Sequence, residues 1–207
     1  SFSSVAYDFA KEDGLFSKRG EGFRPATLAR DAYKFAFDKQ SLNDEEKIYT
    51  MQQIGRLDIY RGMMSGDASD DERSDALEAC IDDMEEIEAT NHQVYHYYKI
   101  ACIAGRGKLS GVLGRIRWGL KLRAAEAAAL ESTKEGGAYV GGAEAGGILR
   151  VMSAVRGNRK AKPLGLYDAQ EAVKFSKLAL ESKGSIFYPV PAGNEPQHLS
   201  GKQYYEN

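Results

Sequence analysis

The sequence predicts an all-α protein assembled from antiparallel helical hairpins, and three observations carry that expectation. Apolar residues recur at three- and four-residue spacing along almost the whole chain, the period of a helix with one buried face. Strand signals are nearly absent: Ile186-Phe-Tyr-Pro-Val190 is the one candidate, and its proline removes a ladder donor. Glycine and proline cluster between the periodic segments, where they interrupt helices. With 207 residues, of which 43% are hydrophobic, the chain is long enough for one full core and too apolar for disorder.

The elements follow in order. A first helix is expected from about Val5 to Ser17, with Phe9 and Phe16 among its apolar positions, stopping near Gly20-Glu21-Gly22. Pro25 opens the next, because the first turn needs no proline N–H. That helix runs to about Lys39 with Leu28, Ala29, Ala32, Tyr33, Ala36 and Phe37 as its inner stripe. Ser41-Leu-Asn-Asp44 is a loop whose Asp44 side chain is expected to cap a third helix, from Glu45 to about Met64. A polar break over Ser65–Asp71 precedes a fourth helix, from Glu72 to about Ala89. The fifth begins at Asn91 and ends at Gly105-Arg-Gly107, and the sixth spans Val112 to Ser132. Six glycines between Gly136 and Gly147 make a joint, followed by a short seventh helix from Ile148 to about Val155. Pro163 within Lys160–Gly165 forbids its continuation. An eighth helix covers Ala169 to about Ser182; Pro189, Pro191 and Pro196 form a linker, and Leu199–Glu206 starts a ninth. All of it reads as one domain, 1–207, with hairpins at about 5–39, 45–89, 92–132 and 148–182 and a final helix at 199–206.

A long repeat underlies these hairpins. Ala29, Ala76, Ala124 and Ala172 lead similar helical patterns and are spaced 47, 48 and 48 residues apart. The intervening helices carry a complementary mixture of small and bulky residues, as in Met51-x2-Ile54-Gly55 and Tyr95-x2-Tyr98. A small residue lets a neighbouring helix approach, and a large one fills the groove beside it. This alternation resembles the tetratricopeptide (TPR) helix pair with a stretched period, which implies a right-handed superhelical stack, an α-solenoid.

A narrower resemblance runs through Ala6-x2-Phe9-x4-Gly14-Leu15-Phe16-x-Lys18-Arg19-Gly20, Leu28-Ala29, Ala36-Phe37 and Ile54-Gly55-Arg56. It continues through Val94-Tyr-His-Tyr-Tyr98, Gly146-Gly147-Ile-Leu-Arg-Val151 and Lys162-Pro163-Leu-Gly-Leu-Tyr167. In this order the motifs resemble the TRAP-transporter T-component family. That resemblance implies an exported, lipid-anchored periplasmic protein of TPR-like hairpins around a ligand groove or pore, associated with a solute-binding partner. The chain begins at Ser1, so the anchor would lie upstream of it, and membrane contact is expected only through that anchor.

Charge is distributed unevenly. The formal net charge is −2. Asp44–Glu88 holds fifteen acids against four bases, a net of −11, while Ala89–Ala125 holds seven bases and no acid. Acidic helices packing beside basic ones would account for this, and so would a basic face that meets an anionic partner. The basic residues lack the interleaved aromatics of a stacking platform, so nucleic acid is not the expected partner. No apolar run reaches membrane-spanning length.

Candidates for chemistry are few, and the reading is non-enzymatic, with no catalytic residue, metal or cofactor expected. The glycine-rich Gly136–Gly147 has neither a preceding strand nor a Walker lysine. His92 and His96 stand one turn apart, which suits two metal ligands or, more simply, a first-turn residue and a polar surface residue. Asp82-Asp83 and Glu85-Glu86 read as a solvated acidic face. Cys80 and Cys102 fall at similar heights on either side of a hairpin turn near Thr90-Asn91. They are two small groove fillers, or a disulfide if the protein is exported. Aromatic and cationic residues make the best binding candidates: Tyr97, Trp118, Arg150 and Arg156 are expected to frame a concave groove. It would accept a protein or peptide partner, or alternatively a small anionic solute in a pocket.

Overall fold

The computed structural model describes residues 22–135, 138–139 and 143–181. The helices expected near 5–17 and 199–206, and the strand candidate at 186–190, lie outside the described residues. Seven α-helices are present: α1 (Phe23–Lys39), α2 (Asp44–Ile59), α3 (Asp70–Glu85), α4 (Gln93–Leu109), α5 (Val112–Glu131), α6 (Ala143–Gly157) and α7 (Ala169–Glu181). Short 3-10 turns cover Glu88–Thr90 and Arg159–Leu164, and a two-residue antiparallel ladder pairs Lys134–Glu135 with Ala138–Tyr139. The described residues are all-α apart from that ladder.

Local chemistry sets most helix starts. The cap of α2 is Asn43, not Asp44: its side chain accepts from Glu46 N at 3.0 Å while Glu46 bonds back to Asn43 N at 2.9 Å. Asp44 instead becomes the first helical residue, where its charge complements the positive end of the dipole. Ser69 and Glu72 form the same reciprocal box at the start of α3. The first turn of α1 has no local side-chain cap; Gly22 N and Phe23 N donate to the Asp67 carboxylate, each at 3.1 Å, across 45 and 44 residues of sequence. Burial, the largest single effect, pushes the Asp67 carboxyl up, but the backbone N–H groups of Gly22, Phe23 and Asp67 together outweigh it and hold the carboxyl below its usual range.

Packing outweighs the helix-breaking tendency of glycine, about 1 kcal/mol against alanine, and shifts two expected boundaries, at the end of α4 and the start of α6. The third expected helix ends as a π-turn, Tyr60–Met64, which brings Gly62 against Leu77. Helix α4 runs through Gly105 and Gly107 to Leu109, with Gly105 pressed on Met63 and Leu77. Helix α6 starts at Ala143, so Gly146 and Gly147 of the expected joint are buried helical residues.

Each helix packs on the next in sequence, and α2, α4 and α6 also contact one another as a row. Helix α4 is central, touching α2, α3, α5 and α6. Its fully buried Ile100 and Cys102 join Ile54 of α2, Leu77 of α3 and Leu149 of α6 in one core. Seams are small against bulky: a Cβ on Gly55 would lie 2.5 Å from the Tyr98 ring. Of the four repeat-leading alanines, Ala29, Ala76 and Ala172 are buried, but Ala124 is exposed, on the side of α5 that faces α3 and α4 across a cleft. Leu28, placed in the inner stripe by its period, is 51% exposed.

Candidate functional site

The row of α2, α4 and α6 gathers two of the four groove residues. Tyr97 leaves α4 and Arg150 leaves α6, and Arg150 Nη2 donates to the Tyr97 hydroxyl at 3.2 Å. Gly147, one turn before Arg150, makes the meeting possible, because a Cβ there would lie 2.6 Å from the Tyr97 ring. From α2, Arg56 donates to Gln53 Oε1 at 3.0 Å and stands among Tyr33, Tyr49, Tyr97 and Tyr98. Burial pushes the Arg56 guanidinium below its ordinary value, while burial raises Tyr33 to about 12. Gln52 of α2 donates to Glu144 of α6 and ties the row together. The chemistry collected here is guanidinium donors and phenol rings, the set that binds carboxylates and peptide groups. Arg56 appears in the Ile54-Gly55-Arg56 motif of the sequence but is not among the expected groove residues; its place beside Gly55, which admits Tyr98, is the available signal.

Trp118 and Arg156 are not part of that face. Trp118 is 6% exposed, packed between α5 and α4 with Arg106, Arg117 and Lys121 cations 4.4–5.7 Å from its ring centre. Its ring therefore does not line an open groove, a correction that follows from its lying on the side of α5 turned toward α4. Arg156 is a clamp. It pairs with Glu126 of α5, lies 2.8 Å from Glu171 of α7, and donates to Leu166 O at 3.1 Å.

Away from that row, a concavity of about 390 Å³ opens between α3, α4 and α5. Its floor includes Ile81, Ile100 and Ile103, and its rim carries Glu85, Glu88, Lys99 and Lys121. Lys99 Nζ lies 2.8 Å from the Tyr95 hydroxyl and 3.3 Å from Glu85. His96 lines the same cleft, with Nε2 2.8 Å from Asn91 Oδ1, and burial lowers its pKa. His92 does not face it as a partner ligand; its Nδ1 accepts from Val94 N at 3.2 Å and caps α4. Among the described residues, no three His, Cys, Asp or Glu side chains are grouped to hold a metal ion.

The acidic segment is engaged rather than uniformly solvated. Asp58 is fully buried, 2.7 Å from Arg61 and 3.6 Å from Arg30. Arg30 also pairs with Asp83, which is 6% exposed, and Lys34 pairs with Glu86 at 2.6 Å. On the opposite side, Arg106 meets Glu78 at 2.6 Å. The Arg30-x3-Lys34 and Asp83-x2-Glu86 spacings were visible in the sequence, but which helix met which was not. Cys80 and Cys102 stand with sulfurs 2.09 Å apart, at bonding distance, joining α3 to α4.

Compared with models of known families, with curated proteins and with solved structures, the chain gives no match.

Proposed function

We propose that the chain is a non-enzymatic TPR-like binding module whose hairpins stack with a right-handed superhelical sense. It recruits a protein or peptide on the row of α2, α4 and α6. The observation that carries this reading is the Tyr97–Arg150 contact beside Arg56, where the alternate helices α2, α4 and α6 each offer a donor or a ring. Such a set suits an extended anionic peptide, because fixed guanidinium forks recognise carboxylates with little ordering cost. An exported, periplasmic setting, with attachment through an upstream lipid anchor, goes with this reading; the Cys80–Cys102 pair supports an oxidising compartment.

The test is selection from a library of extended peptides, followed by anisotropy titration of those retained. Retained peptides should be rich in Asp and Glu. Arg150→Gln should weaken them about tenfold or more, the scale of an interface anchor, with the helical signal unchanged. Retention of no peptide, or of peptides indifferent to Arg150 and Arg56, removes the proposal.

A transporter-accessory role like that of TRAP T-components is the second reading, favoured by the cleft between α3, α4 and α5, whose volume suits a small solute. Thermal stabilisation by small organic acids or amino acids, abolished by Lys99→Gln and retained in Arg150→Gln, would select it.

A further inference from the structure

Helix α5 is anomalous among the helices because its outermost ridge is apolar. Leu113 is 83% exposed, Val112 74%, Leu120 57% and Ile116 44%. At about 100° per residue these four fall within an arc of about 100°. Buried Trp118 and Leu122 lie on the opposite side, against α4. Arg115 and Arg117 sit about 100° to either side of Ile116, so the crest runs between exposed cations. Arg123, exposed and donating to Leu164 O at 3.5 Å, adds charge one turn beyond Leu120, while Lys121 turns toward Trp118. Among the described residues no ion pair engages Arg115, Arg117, Lys121 or Arg123, whereas Arg30 and Lys34 of α1 and Lys99 and Arg106 of α4 pair with acids of α3.

We infer that the α5 crest docks on the surface of an anionic phospholipid bilayer, with the four aliphatic side chains below the headgroups and the flanking cations at the phosphates. The shape is that of an in-plane interfacial helix: a convex apolar ridge about 12 Å long with cations on both sides. No helix among the described residues is long and apolar enough to cross a membrane, so the contact is peripheral. Neither the acidic face of α3 nor the α5 crest of a second copy suits this crest. Every exposed residue of α3 is acidic and offers nothing apolar to bury it, and a second α5 would set cation against cation. An anionic bilayer supplies negative charge on both flanks and an apolar layer beneath. The site lies outside the row of α2, α4 and α6 and is independent of the reading proposed for it.

Flotation of the full chain with vesicles of phosphatidylcholine and phosphatidylglycerol (3:1), and with phosphatidylcholine alone, tests this. At 100 mM salt the chain should float only with the anionic vesicles, and 500 mM salt should release it. Arg115→Gln with Arg117→Gln should lower the partition coefficient about thirtyfold, at about fivefold per cation. Leu113→Ser with Leu120→Ser should abolish binding while the far-ultraviolet dichroism stays helical. As a second readout, Leu113→Trp should shift its emission to the blue on anionic vesicles. Absence of binding to anionic vesicles overturns the inference, as does binding indifferent to the crest substitutions. So does sedimentation showing that the serine substitutions dissociate an oligomer of a chain that does not float.

Discussion

Asp58 illustrates how a single residue couples charge to packing. Burial pushes its carboxyl up to about 6, against the opposing pull of Arg30 and Arg61. The unfolded value is about 3.9, so between about pH 4 and 6 the folded state holds more protons than the unfolded one. The contribution of this group to stability therefore grows as pH falls through that window and is lost as pH rises through about 6. The difference is on the order of 3 kcal/mol. Denaturant titrations from pH 4 to 8 should show this slope in the parent protein and not in Asp58→Asn. Equal slopes would mean that the guanidinium groups fully compensate the burial. The sequence placed Asp58 on a helix but gave no sign of its burial, because an acid enters a core only when partners from other elements meet it.

At the scale of elements, the sequence located six of the seven described helices closely and misjudged ends that glycine occupies. Gly105, Gly107, Gly146 and Gly147 read as breakers, yet each lies inside a helix. Their missing side chains admit Leu77 at Gly105 and Tyr97 at Gly147, and that contact exists only between helices. The α3–α4 pair adds a covalent tie. Cys80 and Cys102 close a loop with a separation of 22 residues. The chain-entropy relation gives such a loop about 3 kcal/mol. Replacing both with serine should lower the melting midpoint by about 6–12 °C, measurable by calorimetry with and without reductant. A midpoint unmoved by reductant would show that the thiols are not bonded in the isolated protein.

Across the whole molecule, stability should follow the pattern of neighbours. Helix α4 is enclosed by α2, α3, α5 and α6, whereas α7 rests mainly on α6. Amide exchange should be slowest around Ile100–Ile103, at the rate of global unfolding, and faster by at least a hundredfold in the last turn of α7. Uniform protection would imply that the hairpins open only together. Charge divides the molecule in the same way: Asp83 of α3 pairs with Arg30 of α1, and Glu78 and Glu85 pair with Arg106 and Lys99 of α4, whereas the exposed cations of α5 face outward without an ion pair among the described residues.

Much of this architecture was local. Helical periodicity, the Ser69–Glu72 box and the proline at 163 need only neighbouring residues to act, so composition and spacing sufficed for the all-α class and the order of helices. The site did not have that character. Tyr97 meets Arg150 because Gly147 removes an obstacle 50 residues away, and Trp118 is lost to the core because α5 turns that side toward α4. Which face of an amphipathic rod is covered depends on the rods beside it, and that is a property of the assembled chain alone.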